Sequence, residues 1–163
     1  MESTVKEIRL AELYPVLREV LESDGSVSLT VTGTSMFPTL LEGQDQVRLV
    51  QAPERLQKYD VPLYRRTNGQ FVLHRILRVE ADGTYTCCGD HQYALEQGIR
   101  QDQIVALMTE YVHKGKTISV NDRKYLRWVR FWCKSLRFRK LMLNVYYKTA
   151  AVKNRLFHKT VKQ

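Results

Sequence analysis

The sequence predicts a mainly β domain, coiled or barrel-like, with one helix before it and a basic helical tail after it. Three observations carry that expectation. The hydrophobic period changes from helical to alternating at about Gly25. From there to Val120, short apolar runs are separated by turn residues, a spacing typical of small β barrels and coiled sheets. Beyond Gly115 the chain has no Gly or Pro, and its apolar residues return to helical spacing. The 163 residues suffice for one such domain with a real core.

In chain order, Ile8, Leu10, Leu13, Leu17, Val20 and Leu21 recur at roughly helical spacing, and Asp24-Gly25 marks a stop. An N-terminal helix within residues 1–24 follows. Val27 to Thr32 alternates apolar and polar, as a half-buried strand does. Val47–Val50 is a second candidate. Val61–Arg65 and Gln70–Val79 flank Asn68-Gly69, a hairpin signal. Asp82-Gly83 leads into Thr84–Cys87, and Lys114-Gly115 separates Ile104–His113 from Thr117–Val120. The β domain is expected over residues 25–120 and the tail over 121–163.

Charge divides the chain more sharply. Residues 1–122 hold 13 Lys+Arg against 17 Asp+Glu, a net of −4; residues 123–163 hold 13 Lys+Arg and no acid, a net of +13. Tyr125, Val129, Trp132, Leu136, Leu143 and Tyr147 fall near one helical face of the tail, with Arg127, Arg130, Lys134, Arg137, Arg139 and Lys140 elsewhere. A basic amphipathic helix of this kind suits an anionic membrane surface, nucleic acid or an acidic protein. The alternative is a helix that packs its aromatics on the β domain.

Composition excludes several classes. Hydrophobic residues at 44% and charged residues at 26% exclude disorder throughout. Three Cys, two of them adjacent (Cys87 and Cys88), exclude a disulfide scaffold and favour reduced thiols. No stretch reaches the ~18 apolar residues of a membrane-spanning helix. The N-terminus lacks the basic start and apolar run of a secretion signal. The expected location is therefore the cytoplasm. Cys87, Cys88, His91 and His74 do not make a convincing metal set, because adjacent strand residues face opposite ways and no C-x-x-C is present. No phosphate-binding glycine loop occurs. No metal and no cofactor are expected.

The densest chemical signal is Thr32-Gly33-Thr34-Ser35-Met36-Phe37-Pro38-Thr39-Leu40, followed by Glu42-Gly43-Gln44-Asp45. It puts a serine just past a strand, after a glycine and ahead of a proline that stiffens the chain. Rigid presentation is what a nucleophile needs, although turn serines are common in their own right. A serine also needs a base. His74, in Val72-Leu73-His74-Arg75-Ile76, shares a strand face with Val72 and Ile76. Such a ring is either a structural histidine or a general base near neutral pH. Asp90 or Glu96 could orient it.

Taken together, these segments resemble the superfamily that unites type I signal peptidases with the self-cleaving LexA-type repressors. The resemblance runs from about Thr30 to Thr117. Gly33-Thr34-Ser35-Met36-Phe37-Pro38 resembles the box of the nucleophilic serine, and Glu42-Gly43-Gln44-Asp45-Gln46-Val47 the turn after it. Leu56–Tyr64 resembles the Gly-Asp-Ile-Val-x-Tyr strand, Leu73-His74-Arg75-Ile76 the box of the catalytic base, and Cys88-Gly89-Asp90-His91 the Gly-Asp-Asn box. Each motif alone is weak; five in the same order are specific. His74 at the base position implies the Ser-His type, found in endoplasmic-reticulum and archaeal enzymes, rather than Ser-Lys. The resemblance then implies Glu96, or else Asp90, as the third group.

The implied activity is that of a serine endopeptidase acting on a peptide or protein precursor. Three departures shape the expectation. Gly33 stands where signal peptidases often carry a hydroxyl, so the oxyanion hole would rest on backbone N–H groups of Ser35 and Met36; one lost donor typically lowers the rate by about 10²–10³. Gln44 precedes Asp45 where Gly is usual. The transmembrane anchor of signal peptidases is not among these residues, and the cationic tail would replace it as a peripheral anchor on the inner, cytoplasmic face of the membrane. Two non-enzymatic readings stand beside this one: a peptide-binding relative without catalysis, and a tail-driven binder of nucleic acid or membranes. A repressor is disfavoured, since about 25 residues before the first strand are too few for a helix-turn-helix unit.

Overall fold

The alternation after Gly25 is realised as nine strands in two antiparallel sheets, among the residues 10–160 that the computed structural model describes. Residues 1–9, Ile8 among them, and 161–163 lie outside the described residues. The expected mainly β class, with a helix at each end of the β domain, is what forms.

Helix α1 (Leu10–Glu22) buries Leu17 and Leu21, one turn apart, and Asp24 in the left-handed region ends it. Strand β1 (Ser26–Thr30) pairs with β2 (Gln46–Val50), and β2 pairs with the long β8 (Ile104–His113). On the far side β8 pairs with β3 (Pro62–Arg65), which forms a hairpin with β4 (Phe71–Leu73); β9 (Lys116–Ser119) returns along β8. The second sheet has three strands in the order β5 (Arg75–Val79), β6 (Tyr85–Cys88) and β7 (Glu96–Ile99). Val47, Leu49, Val61, Leu63, Ala106 and Met108 form the main core with Leu17, Leu21, Met36 and Leu40; Tyr64, Ile76, Tyr85 and Cys87 form a smaller core beneath the second sheet.

Two expectations are corrected. The run Gln70–Val79 is not one strand. It breaks at His74: Leu73 belongs to the first sheet and Arg75 to the second. The chain must leave one sheet for the other here, so Val72, His74 and Ile76 do not share a continuous strand face. The tail, likewise, is two helices, α2 (Arg123–Trp132) and α3 (Leu136–Thr160), divided at Cys133–Ser135. Asp122 caps α2 by accepting from the Lys124 N–H at 2.6 Å.

The tail is also less detached than its charge suggests. Tyr125 and Val129 of α2 enter the main core. Trp132 is buried, stacks on Trp128 at 5.1 Å and donates its indole N–H to the Asp90 carbonyl at 3.0 Å. Both tryptophans are thus committed to packing. On α3, Leu143 is buried, and so is Arg139, contrary to the charged face that helical spacing assigns it. Arg139 Nη1 donates to the Gly89 carbonyl at 2.8 Å and to the Gln92 carbonyl at 3.3 Å. These contacts fix α3 against the loop after β6.

Candidate active site

Ser35 sits in the turn between β1 and β2, and the residues around it hold that turn from below. Met36 and Leu40 are both buried, with the Leu40 N–H bonded to the Met36 carbonyl at 3.0 Å. Glu42 accepts the Gly33 N–H at 2.7 Å. At the far end, fully buried Asp45 accepts the Leu41 N–H at 2.9 Å and meets His113 Nδ1 at 2.8 Å, while the Val31 N–H bonds the Asp45 carbonyl. Sequence reasoning saw Glu42–Asp45 only as a turn. It is also the clamp that closes the serine loop.

The loop after β6 supports Ser35 from the other side. The His91 N–H donates to the Ser35 carbonyl at 2.9 Å. Gly89 lies so close that a Cβ there would fall 2.5 Å from the Ser35 carbonyl oxygen. The serine carbonyl is therefore spoken for. The backbone N–H groups of Ser35 and Met36, in contrast, donate to no group among the described residues, as an anion-accepting pair requires.

His74 occupies the crossing between the two sheets and is 1% exposed. Its Nδ1 lies 2.9 Å from Glu96 Oε1, with the Tyr64 hydroxyl 3.3 Å away. Arg66 holds Glu96 in turn, with Nε on Oε2 at 2.7 Å and Nη2 on Oε1. The Gln70 side chain accepts from Arg66 Nη1 at 2.6 Å. With Nδ1–H donating to Glu96, the ring presents an Nε2 lone pair, and Nε2 has no partner among the described residues. Burial lowers the His74 pKa from its ordinary value, and the Glu96 carboxylate opposes that effect. For Glu96 burial acts to raise the pKa, but the hydrogen bonds from Arg66 and the neighbouring His74 outweigh it and hold the group below its ordinary value. Burial raises Tyr64, which therefore stays a neutral phenol at neutral pH.

Ser35 and His74 line one cavity of about 540 Å³ together with Gly33, His91 and Gln92. Its lining is mixed: Leu29, Val31, Val47, Leu49, Leu63 and Phe71 come from the first sheet and its β1 extension, beside Thr30, Thr32, Thr34, Arg66 and Gln70. The hydrogen bond between Ser35 Oγ and His74 Nε2 is not formed.

Of the two acids expected at the imidazole, Glu96 is there and Asp90 is not. Asp90 is fully buried and faces Arg75, the residue after His74. Arg75 donates Nε to Oδ1 at 2.9 Å and Nη2 to Oδ2 at 2.6 Å, and Thr39 donates to Oδ2 at 2.5 Å. Burial alone would raise the Asp90 pKa; the Arg75 guanidinium and these hydrogen bonds lower it instead. Arg75 also donates to the Tyr125 hydroxyl and the Tyr59 carbonyl. Asp90 is therefore a structural knot between the serine loop, β5 and α2, with no oxygen left for His74. Successive residues on one segment each receive their own acid.

Cys87 and Cys88 are both buried, and burial pushes the Cys87 thiol up to about 12 and the Cys88 thiol up to about 11. Neither is poised as a thiolate at neutral pH. Arg66 and Tyr64 were not singled out from the sequence as site residues. Arg66 is 30 residues from Glu96 in the chain, and only the crossing of the two sheets joins them.

No protein-family model, no curated protein and no solved structure matches this chain.

Proposed function

We propose that the chain is a serine endopeptidase of the signal-peptidase type, working through Ser35 and His74 on a peptide or protein precursor. The observation that carries this reading is the arrangement around His74: Glu96 on Nδ1, an unpartnered Nε2, and Ser35 on the wall of the same cavity. The ordered resemblance of the Ser35, His74 and Gly89-Asp90 segments to that superfamily supports it, and the two-sheet β domain is compatible with the LexA-type fold it implies.

In this mechanism Ser35 Oγ attacks the scissile carbonyl while His74 Nε2 takes its proton. Glu96 fixes the tautomer and stabilises the imidazolium, and Arg66 keeps Glu96 ionised and aimed. Negative charge on the tetrahedral oxygen meets the Ser35 and Met36 N–H groups. His74 then protonates the leaving amine, and the acyl-enzyme is hydrolysed by a water that the neutral His74 deprotonates. The mixed lining of the cavity suits an extended chain whose small or apolar side chains meet Leu29, Val31 and Phe71.

The test is independent of substrate. A serine-directed phosphonylating reagent should add once to the purified protein, on Ser35, by intact mass and peptide mapping. Ser35→Ala and His74→Ala should both abolish the adduct. Labelling that survives in Ser35→Ala, or none in the wild type above a denatured control, would support the non-catalytic peptide-binding reading instead.

A further inference from the structure

Helix α3 buries Arg139 and Leu143, which lie one turn apart on the side facing the β domain. A helix with that face satisfied would ordinarily be polar on the other. This one is not. Leu141 is 60% exposed and Val145 49%, at i and i+4 on the outward side, with Phe138 and Met142 beside them. Phe138 meets the half-exposed Phe131 ring at 5.1 Å, so the patch continues from α3 onto α2.

The charges around the patch are of one sign. Arg127, Arg130 and Lys134 on and after α2, and Arg137 and Lys148 on α3, are all exposed, while Lys140 lies over the Tyr93 ring of the β domain. None of the five forms a salt bridge among the described residues. Nor does any acid occur after Asp122 to neutralise them.

We infer that the outward face of α2 and α3 docks on an anionic lipid bilayer, with Phe131, Leu141 and Val145 entering the headgroup–acyl boundary and the surrounding Lys and Arg meeting lipid phosphates. Charge complementarity names an anionic partner, and the aliphatic centre chooses among anionic partners. Phe131 offers a ring, but Leu141, Met142 and Val145 have no ring face on which a nucleic-acid base could stack, whereas an acyl boundary buries all four. The two tryptophans take no part, being packed internally. On the same helix Tyr146 touches Phe37, and Tyr147 contacts His91. Docking by the outward face would thus put α3 between the bilayer and the wall of the Ser35 cavity; any role of that placement in cleavage rests on the peptidase reading.

The test is flotation of the 163-residue chain with vesicles of phosphatidylcholine alone or with added phosphatidylglycerol. The protein should float with the anionic vesicles and partition at least about tenfold less onto phosphatidylcholine. The neutral replacement Leu141→Ser/Val145→Ser should weaken anionic-vesicle binding by about tenfold or more, while circular dichroism and melting stay as in the wild type. Ser35→Ala should float like the wild type, which separates this surface from the peptidase site. The inference is overturned by absence of flotation with anionic vesicles. It is equally overturned if Leu141→Ser/Val145→Ser floats undiminished, or if DNA binds the chain more tightly than anionic vesicles do.

Discussion

Gly89 and the Ser35 carbonyl are in contact so close that no other residue fits at 89: a Cβ there would lie 2.5 Å from the Ser35 oxygen and 3.1 Å from the Gln92 side chain. The obstacle is backbone, which cannot swing aside as a side chain could. Gly89→Ala should therefore displace the serine loop. Overpacking of this kind costs about 1–3 kcal/mol, and a 1 Å misplacement of a reacting group costs about 10²-fold in rate. Reagent labelling of Ser35 in Gly89→Ala should fall by that order while the protein still melts cooperatively. Wild-type labelling would show that the 89–91 segment does not set the serine.

The pH dependence follows from His74 and Glu96. In the proposed mechanism only neutral His74 can accept the serine proton, and burial lowers its pKa below the ordinary value. The acid limb of the labelling rate should accordingly lie below the usual imidazole range of about 6.5. In Glu96→Gln the carboxylate that raises the His74 pKa is gone, while Arg66 still lowers it. The limb should move further to acid and the plateau should drop, since the tautomer is no longer held. A limb that moves towards neutral pH in Glu96→Gln would contradict this coupling.

Asp90 and Arg75 predict stability rather than activity. Both are fully buried, and removing one partner of such a pair leaves an uncompensated charge, typically at a cost of about 3–5 kcal/mol. Asp90→Ala should lower the melting temperature accordingly; Glu96→Gln, at a partly exposed position, should lower it far less. Because the native Asp90 pKa lies below the ordinary value, its stabilisation is present above the carboxylate range and lost as pH falls through the native pKa. Acid melts of the wild type should show that loss, and Asp90→Ala should lack it. Equal melting of Asp90→Ala and wild type would refute the structural role.

Local signals in the sequence read well where one element decides its own fate. The alternation over Val27–Thr32 forms a strand as far as Thr30, and the Asn68-Gly69 and Asp82-Gly83 turns and the Lys114-Gly115 hairpin form as their residues dictate. What failed depended on distant partners. His74 reads as mid-strand because Val72 and Ile76 alternate about it, yet the two halves belong to different sheets. Strand β7 (Glu96–Ile99) carries no apolar alternation and forms at the sheet edge by pairing with β6. Sequence position does not distinguish Asp90 from Glu96, and only the crossing at His74–Arg75 assigns one acid to each neighbour. Arg139 looked like a surface charge until the carbonyls of Gly89 and Gln92 met it.

The central claim is that Ser35 cuts a peptide bond with His74 as its base. It is tested most directly by comparing new protein N-termini in cells expressing the wild type, Ser35→Ala or His74→Ala at equal levels. A small set of termini should appear with the wild type and vanish with both variants, and those sites would name the precursor. Three identical lists, with all three proteins folded, would contradict it.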